Sequence, residues 1–302
     1  LNIGVFSPSG AVDPERLARG IATLESQGHR VVQAPDVAGQ WRYFSGTDQT
    51  RLDNFHRMLA DPSIDLMIMS RGGYGWSRLL HRIKWGAVRD SQKAIMGFSD
   101  FTAFQMGALS LANIVTFTGP GVATDFDWSD SAPQTVADHE FMNAHCWPVV
   151  RGKTLSTDTF LSDRPYPALT ISGPIWGSNL SLLSHLVGTP YLPAIDRGIL
   201  FIEEIDETPY AIERMFLQLF HNGLLQNQAA VILGDFTHCE PEAGRFPYTM
   251  AHVIESLREW LPCPVLTGLP FGHVARKLTL PYGAWTTLSI DGDRYSLVLH
   301  GA

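Results

Sequence analysis

Charge is sparse in this sequence: Asp, Glu, Lys and Arg supply only 17% of 302 residues, with 22 Lys and Arg against 30 Asp and Glu and a formal net charge of -8. No dense basic run occurs, which argues against binding nucleic acid through its phosphates. Long apolar runs are missing too. The uninterrupted stretch Leu66 to Met69 is strand-sized, against the roughly 20 residues that cross a bilayer, so no membrane association is expected. Nor is there a basic segment followed by an apolar stretch and a small-residue cleavage site, since Leu1 to Phe6 runs straight into Ser7-Pro8-Ser9-Gly10; a cytoplasmic protein is expected. Cysteine is scarce. Cys146, Cys239 and Cys263 are an odd number without CxxC spacing, which disfavours a disulfide framework or a zinc cage and leaves buried thiols. Apolar residues, by contrast, reach 45%, with 27 Gly and 19 Pro spread along the chain. That composition is globular and rules out disorder, collagen and coiled coil.

The first half alternates strand and helix signals. Ile3 to Phe6 reads as a strand, and Asp13-Pro14 then gives an N-cap and N1 proline to a helix with Leu17, Ile21 and Leu24 on one face, ended by Gly28. Val31-Val32, Leu66 to Met69, Ala94 to Phe98 and Ile114 to Phe117 follow as strands. Helices are expected at Leu52-Phe55-Leu59, at Trp76 to Ile83 and from Asp100 to about Leu111. This order predicts an α/β fold with an N-terminal Rossmann-like, mostly parallel sheet covered by helices on both faces. Between about Gly121 and Tyr166 the periodicity weakens, suggesting a connection with one short helix. Beyond it, strands at Leu169 to Trp176, Ile199 to Ile205 and Ala229 to Leu233, with a helix over Ala211 to Phe220, suggest a mixed, strand-rich C-terminal α/β domain. Trp285 to Ile290 and Tyr295 to Leu299 read as a hairpin about Asp291-Gly292-Asp293-Arg294. The expected division is 1–140, a linker at 141–165, and 166–302.

Several motifs could carry chemistry. In Gly97-Phe98-Ser99-Asp100-Phe101 a serine stands where a buried strand hands over to a helix. That position suits a nucleophile flanked by helix amides. It equally suits an N-cap, and Phe101 replaces the second glycine of G-x-S-x-G. Arg71-Gly72-Gly73-Tyr74-Gly75 has three glycines that let backbone N–H groups approach an anion, or simply make a tight turn. It matches neither G-x-G-x-x-G nor a P-loop. Glu203-Glu204-Ile205-Asp206-Glu207 follows a strand, where α/β sites gather. One of these carboxylates could orient a histidine, or the cluster could be a solvated loop. It lacks the pattern of a Ca²⁺ loop, and no metal and no cofactor are assigned. His273 ends Thr267-Gly268-Leu269-Pro270-Phe271-Gly272-His273, a loop after an expected strand, where positioned functional groups gather. His185, His221 and His252 lie in or beside helices and receive no role. Ser99, an acid near 203 and His273 would together be chemically complete, because a hydroxyl needs a base and the base an orienting carboxylate. Chain order does not tell whether they meet.

These motifs, with Ser7-Pro8-Ser9-Gly10, Phe117-Thr118-Gly119-Pro120, Trp176-Gly177-Ser178-Asn179-Leu180 and Phe201-Ile202-Glu203-Glu204, run collinearly nearly end to end. The chain resembles the bacterial LD-carboxypeptidases, the muramoyl-tetrapeptide carboxypeptidase group that also includes microcin C self-immunity proteins. The resemblance implies a cofactor-free, cytoplasmic, dimeric serine peptidase that removes the terminal D-Ala of murein tetrapeptide after the L-centre of a diamino acid, in cell-wall recycling. It implies Ser99 as nucleophile, Glu203 as orienting acid, His273 as general base and then acid, and the amides of Gly73 and Asp100 as oxyanion donors. Arg71, Asn179 and Arg276 are candidates for the substrate's terminal carboxylate, and Tyr74 and Trp176 for further substrate contact. Glu204 stands where the family frequently has Asp, and Ser178 where it frequently has Gly. Hydrolysis of a peptidyl-adenylate by the same triad, and non-catalytic binding of muropeptides, are the alternative readings.

Overall fold

Residues 1–128, 133–241 and 247–301 are described by the computed structural model. Twelve strands are found among them: β1 (Asn2–Phe6), β2 (Arg30–Gln33), β3 (Leu66–Met69), β4 (Ala94–Gly97), β5 (Thr116–Thr118), β6 (Leu155–Ser156), β7 (Phe160–Asn179), β8 (Ile199–Ile205), β9 (Ala230–Thr237), β10 (Val265–Leu266), β11 (Leu280–Tyr282) and β12 (Trp285–Leu299). They form two six-stranded sheets, ordered β11-β5-β4-β3-β1-β2 and β10-β9-β8-β7-β12-β6. In the first, β1 to β5 are parallel and β11 joins the β5 edge antiparallel. The second is mixed, parallel from β7 to β10 and antiparallel where β12 pairs with β7 and β6. The α/β class is as expected, with a mostly parallel first sheet and a mixed second one.

The first sheet is built as its periodicity requires. The helix Pro14–Ser26 starts at Asp13, whose carboxylate accepts from the amides of Glu15 and Arg16, and buries Leu17, Ile21 and Leu24 against the strands. All four residues of β3 are buried, as a strand covered on both faces demands.

Two expectations are corrected. The connection does not carry a short helix: Pro133–Val150 is a helix of 18 residues, so 141–150 belong to it rather than to a linker. Met142, Cys146 and Val149 fall on one buried stripe, and the Cys146 thiol lies 3.8 Å from Met96 Sδ, so the helix packs on the first sheet. The interleaved His, Asn and Asp residues mask that stripe in the sequence. Secondly, Asp291 to Arg294 do not form a hairpin. β12 continues through them along β7, and the extra residues are absorbed as register shifts between Ile290 and Gly292 and between Gly292 and Arg294.

Candidate active site

β4 ends at Gly97, and the helix Phe101–Gly107 starts four residues later. The turn between them is tight. A Cβ on Gly97 would lie 2.3 Å from Met69 Sδ and 2.6 Å from Phe101 Cγ, so glycine is needed for the turn to close. Ser99 itself takes φ +64°, a left-handed conformation that costs a non-glycine residue energy and lifts its side chain clear of the sheet. Asp100 follows, fully buried, with Oδ2 accepting from Ser9 Oγ (2.7 Å) and from the Trp76 amide (3.0 Å). Burial pushes its carboxyl up to about 6, against the pull of those two hydrogen bonds and of the Arg51 charge. The loops after β1, β3 and β4 are thus tied to one carboxylate. Beneath them the buried Arg51 guanidinium donates to the Pro8 carbonyl and fixes the loop that carries Ser9.

Glu203 lies near the carboxyl end of β8, in register with Asn179 on β7. Its side chain is wholly buried, and Oε2 lies 2.9 Å from His273 Nδ1, while His273 Nε2 lies 3.1 Å from Ser99 Oγ. A carboxylate only accepts, so Nδ1 carries the ring proton and Nε2 is left to accept from the serine hydroxyl. The imidazole is held in place by the Phe98 ring, with centroids 4.6 Å apart. It follows Gly272, whose φ of +145° and closeness to Asp235 Cβ (2.8 Å from an added Cβ) exclude a larger residue. Glu204 turns the other way. Its Oε1 accepts from Asn179 Nδ2 (3.0 Å) and the Ile205 amide (2.9 Å), and its Oε2 from the Ser181 amide (2.7 Å). Burial raises its pKa, though those hydrogen bonds oppose the shift. Of the two adjacent acids, Glu203 is the one that faces histidine.

Gly72 runs directly against the serine: a Cβ there would lie 3.2 Å from Ser99 Oγ. Among the described residues the amides of Gly73 and Asp100 donate to no backbone carbonyl. A cavity of about 470 Å³ opens over this point, lined by Arg71 to Gly73, Phe98, Ser99, His273, Asp125 and Lys277 among others. It sits at the carboxyl ends of the strands, where open α/β sheets bind ligands. A larger hollow of about 780 Å³, lined in part by Leu169 to Ser172 in the middle of β7 and by Asp196 and Arg197 just before β8, contains no histidine. The arrangement around Ser99 can move a proton from a hydroxyl to an imidazole that a buried carboxylate orients.

Two domain models match this chain: that of the LD-carboxypeptidase N-terminal domain at residues 3–119 and that of the C-terminal domain at 172–288. The chain belongs to the LD-carboxypeptidase family. A Bacillus subtilis protein named "Probable murein peptide carboxypeptidase" is 30% identical to it over 93% of this chain and 86% of its own length. The crystal structure of muramoyltetrapeptide carboxypeptidase from Oxalobacter formigenes, 33% identical, superposes with a TM-score of 0.88 over 98% of this chain and 99% of the other. The microcin C7 self-immunity protein MccF of Escherichia coli is 26% identical over 98% of this chain and 92% of its own.

Within this LD-carboxypeptidase the expected substrate contacts divide. Arg71 lines the cavity. Tyr74 is exposed, with its ring packed on Phe44, and does not line the cavity. Trp176 is a correction: it is fully buried, with its indole N–H donating to Gln228 Oε1. Asn179 is another, since its Oδ1 caps the helix Leu180–His185 and its Nδ2 is spent on Glu204, so it shapes the second sheet's loop. Arg276 is a third, because its guanidinium covers the Phe141 ring at 3.7 Å and does not line the cavity. Ser178, expected as a departure from the family's glycine, takes φ +84°, and among the described residues its buried hydroxyl finds no partner. Sequence reasoning missed Lys277 and Asp125. They form a buried ion pair (2.7 Å) in the cavity wall, with Lys277 Nζ 3.8 Å from the Phe98 ring centroid. Burial alone would raise the Asp125 pKa, but Lys277 and hydrogen bonds from Thr124 and the Gly121 amide bring it below the usual carboxylate value. The signal was present four residues beyond His273, in the same loop. Among the described residues, no helix is long and apolar enough to cross a membrane, and no group of three or more His, Cys, Asp or Glu could hold a metal ion.

Proposed function

We propose that this protein is a serine LD-carboxypeptidase that releases the terminal D-Ala from murein tetrapeptide, cutting after the L-centre of a diamino acid. The unbroken hydrogen-bond path Glu203–His273–Ser99 carries this reading. Ser99 Oγ attacks the carbonyl carbon while His273 Nε2 takes its proton, and Glu203 stabilises the imidazolium through Nδ1–H. The tetrahedral oxyanion is held by the amides of Gly73 and Asp100, with each such donor worth about 3 to 4 kcal/mol. Collapse of the intermediate breaks the C–N bond, and the imidazolium returns its proton to the departing amine. Water, deprotonated by His273, then cleaves the ester and restores the serine. The names of the relatives from Bacillus subtilis and Oxalobacter formigenes support a murein peptide as substrate. With this reading go a homodimer, a cytoplasmic location and recycling of cell-wall peptides. Mass spectrometry of products from tetrapeptides with L- or D-residues flanking the scissile bond tests it. Release of D-Ala by the wild type and none by Ser99→Ala is expected; undiminished release by that variant ends the serine mechanism.

The full-length similarity to a protein named for microcin C7 self-immunity favours, as second reading, hydrolysis of a peptidyl-adenylate by the same three residues. Assaying an acyl-sulfamoyl adenylate beside the tetrapeptide separates the two. If the serine is idle and the groove only binds muropeptides, a fluorophosphonate probe will leave Ser99 unlabelled.

A further inference from the structure

Tyr43 lies outside every motif, in the irregular segment between β2 and the helix Asp48–Ala60, yet it reaches the loop beside Ser99. A Cβ added to Gly73 would stand 2.1 Å from Tyr43 Oη and 3.4 Å from Arg71 Nη2, so both polar groups lie over that glycine, with Tyr43 Oη in the place a side chain would take. Both are held by one residue. The Ala11 amide donates to the Tyr43 carbonyl (2.9 Å), and the Ala11 carbonyl accepts from Arg71 Nη1 (3.2 Å). Gly73, with φ +105°, is what lets Tyr43 Oη come this close, since any side chain there would collide with it. Among the described residues Arg71 has no carboxylate partner. The other cation in the cavity wall, Lys277, is already neutralised by Asp125.

The spacing from Ser99 gives this pair of donors its chemistry. Gly72 is the residue against Ser99 Oγ, and Gly73 lies one residue, about 3.8 Å, further along the loop. A single residue likewise separates the carbonyl attacked in a carboxypeptidase from the substrate's terminal carboxylate. We propose that Tyr43 Oη and Arg71 form a fork for the free α-carboxylate of the amino acid that is released. This inference rests on the carboxypeptidase reading and assigns it a specificity-determining residue. Arg71 supplies the charge, Tyr43 O–H a directed hydrogen bond, and together they admit one residue beyond the scissile bond and no more.

Equilibrium binding in the Ser99→Ala background tests the fork without turnover. The ligands are a murein tetrapeptide ending in D-Ala and the same peptide with a C-terminal amide. The acid is expected to bind more tightly. Tyr43→Phe, which keeps the ring, should weaken the acid about 10-fold and Arg71→Gln up to about 100-fold, with the amide nearly unchanged, so that discrimination collapses. Equal binding of acid and amide, parallel losses for both, or unaltered discrimination in Tyr43→Phe overturns the fork. Failure of the wild type to release D-Ala from the acid would instead overturn the hydrolase reading, leaving the binding result to be judged by itself.

Discussion

His273 Nε2 stands 3.1 Å from Ser99 Oγ although 174 residues separate them in the chain. The serine is carried by the first sheet, while the histidine follows the last strand of the parallel part of the second. Docking of the two sheets therefore creates the proton path, and neither half holds it alone. Among the described residues Ser99 Oγ makes only this side-chain hydrogen bond, so Ser99→Ala leaves no protein donor buried and unmet. The variant should lose about 10⁶ in kcat with its thermal midpoint and far-UV spectrum unchanged. A midpoint that falls with activity would show that the serine is structural.

Glu203 and Glu204 are adjacent, buried and differently employed, so they separate chemistry from architecture. Glu203→Gln places an amide beside His273 Nδ1, favours the wrong tautomer and should cost about 10⁴ in kcat. Glu204→Gln sets an NH₂ against donors from Asn179, Ile205 and Ser181 and should cost about 1–3 kcal/mol of stability. Urea unfolding beside steady-state kinetics checks both; equal kinetic losses would mean that the two acids share the task.

How far the site was readable follows from where its parts lie. Ser99, Glu203 and His273 each end or follow an apolar strand, so local pattern locates them and the structure joins them. Trp176 and Asn179 belong to a motif as visible as theirs, yet they are consumed in packing the second sheet and in capping a helix. Sequence cannot tell an exposed member of a motif from a buried one. Tyr43 and Lys277 show the converse: nothing periodic marks them, and only the folding of irregular segments over the strand ends brings Lys277 to the cavity and Tyr43 against Gly73. The misread hairpin has the same root, because Gly292 ends a strand in most contexts but here accommodates a shift within one long strand.

Lys277 and Asp125 should be coupled in stability. Both are buried, and removing one partner strands the other's charge, at a cost of about 3–5 kcal/mol. Lys277→Met is expected to lose that much in urea unfolding. Adding Asp125→Asn to it, which removes the charge while keeping an acceptor for the Gly121 amide, should recover much of the loss. A double variant no more stable than the single would show that the pair matters for packing alone.

Asp100 supplies a pH signature. Its carboxyl is pushed from the ordinary 3.8 to about 6, chiefly by burial, while one oxygen, Oδ1, has no partner among the described residues. In the unfolded chain it returns to the ordinary value, so between about 4 and 6 the folded state binds the extra proton. Stability from this group is therefore fully present below the unfolded pKa and is lost as pH rises through the folded one. The span amounts to about 3 kcal/mol. Asp100→Asn fixes the neutral form. Its amide oxygen can still accept from Ser9 and Trp76, and the cost of its buried NH₂ does not vary with pH. The stability of the variant relative to wild type should thus rise by most of that amount, about 2 kcal/mol, from pH 4 to pH 7, measured by urea unfolding at each pH. A constant difference across this range would mean that the carboxyl beside Ser99 titrates in the folded protein as it does in the unfolded chain.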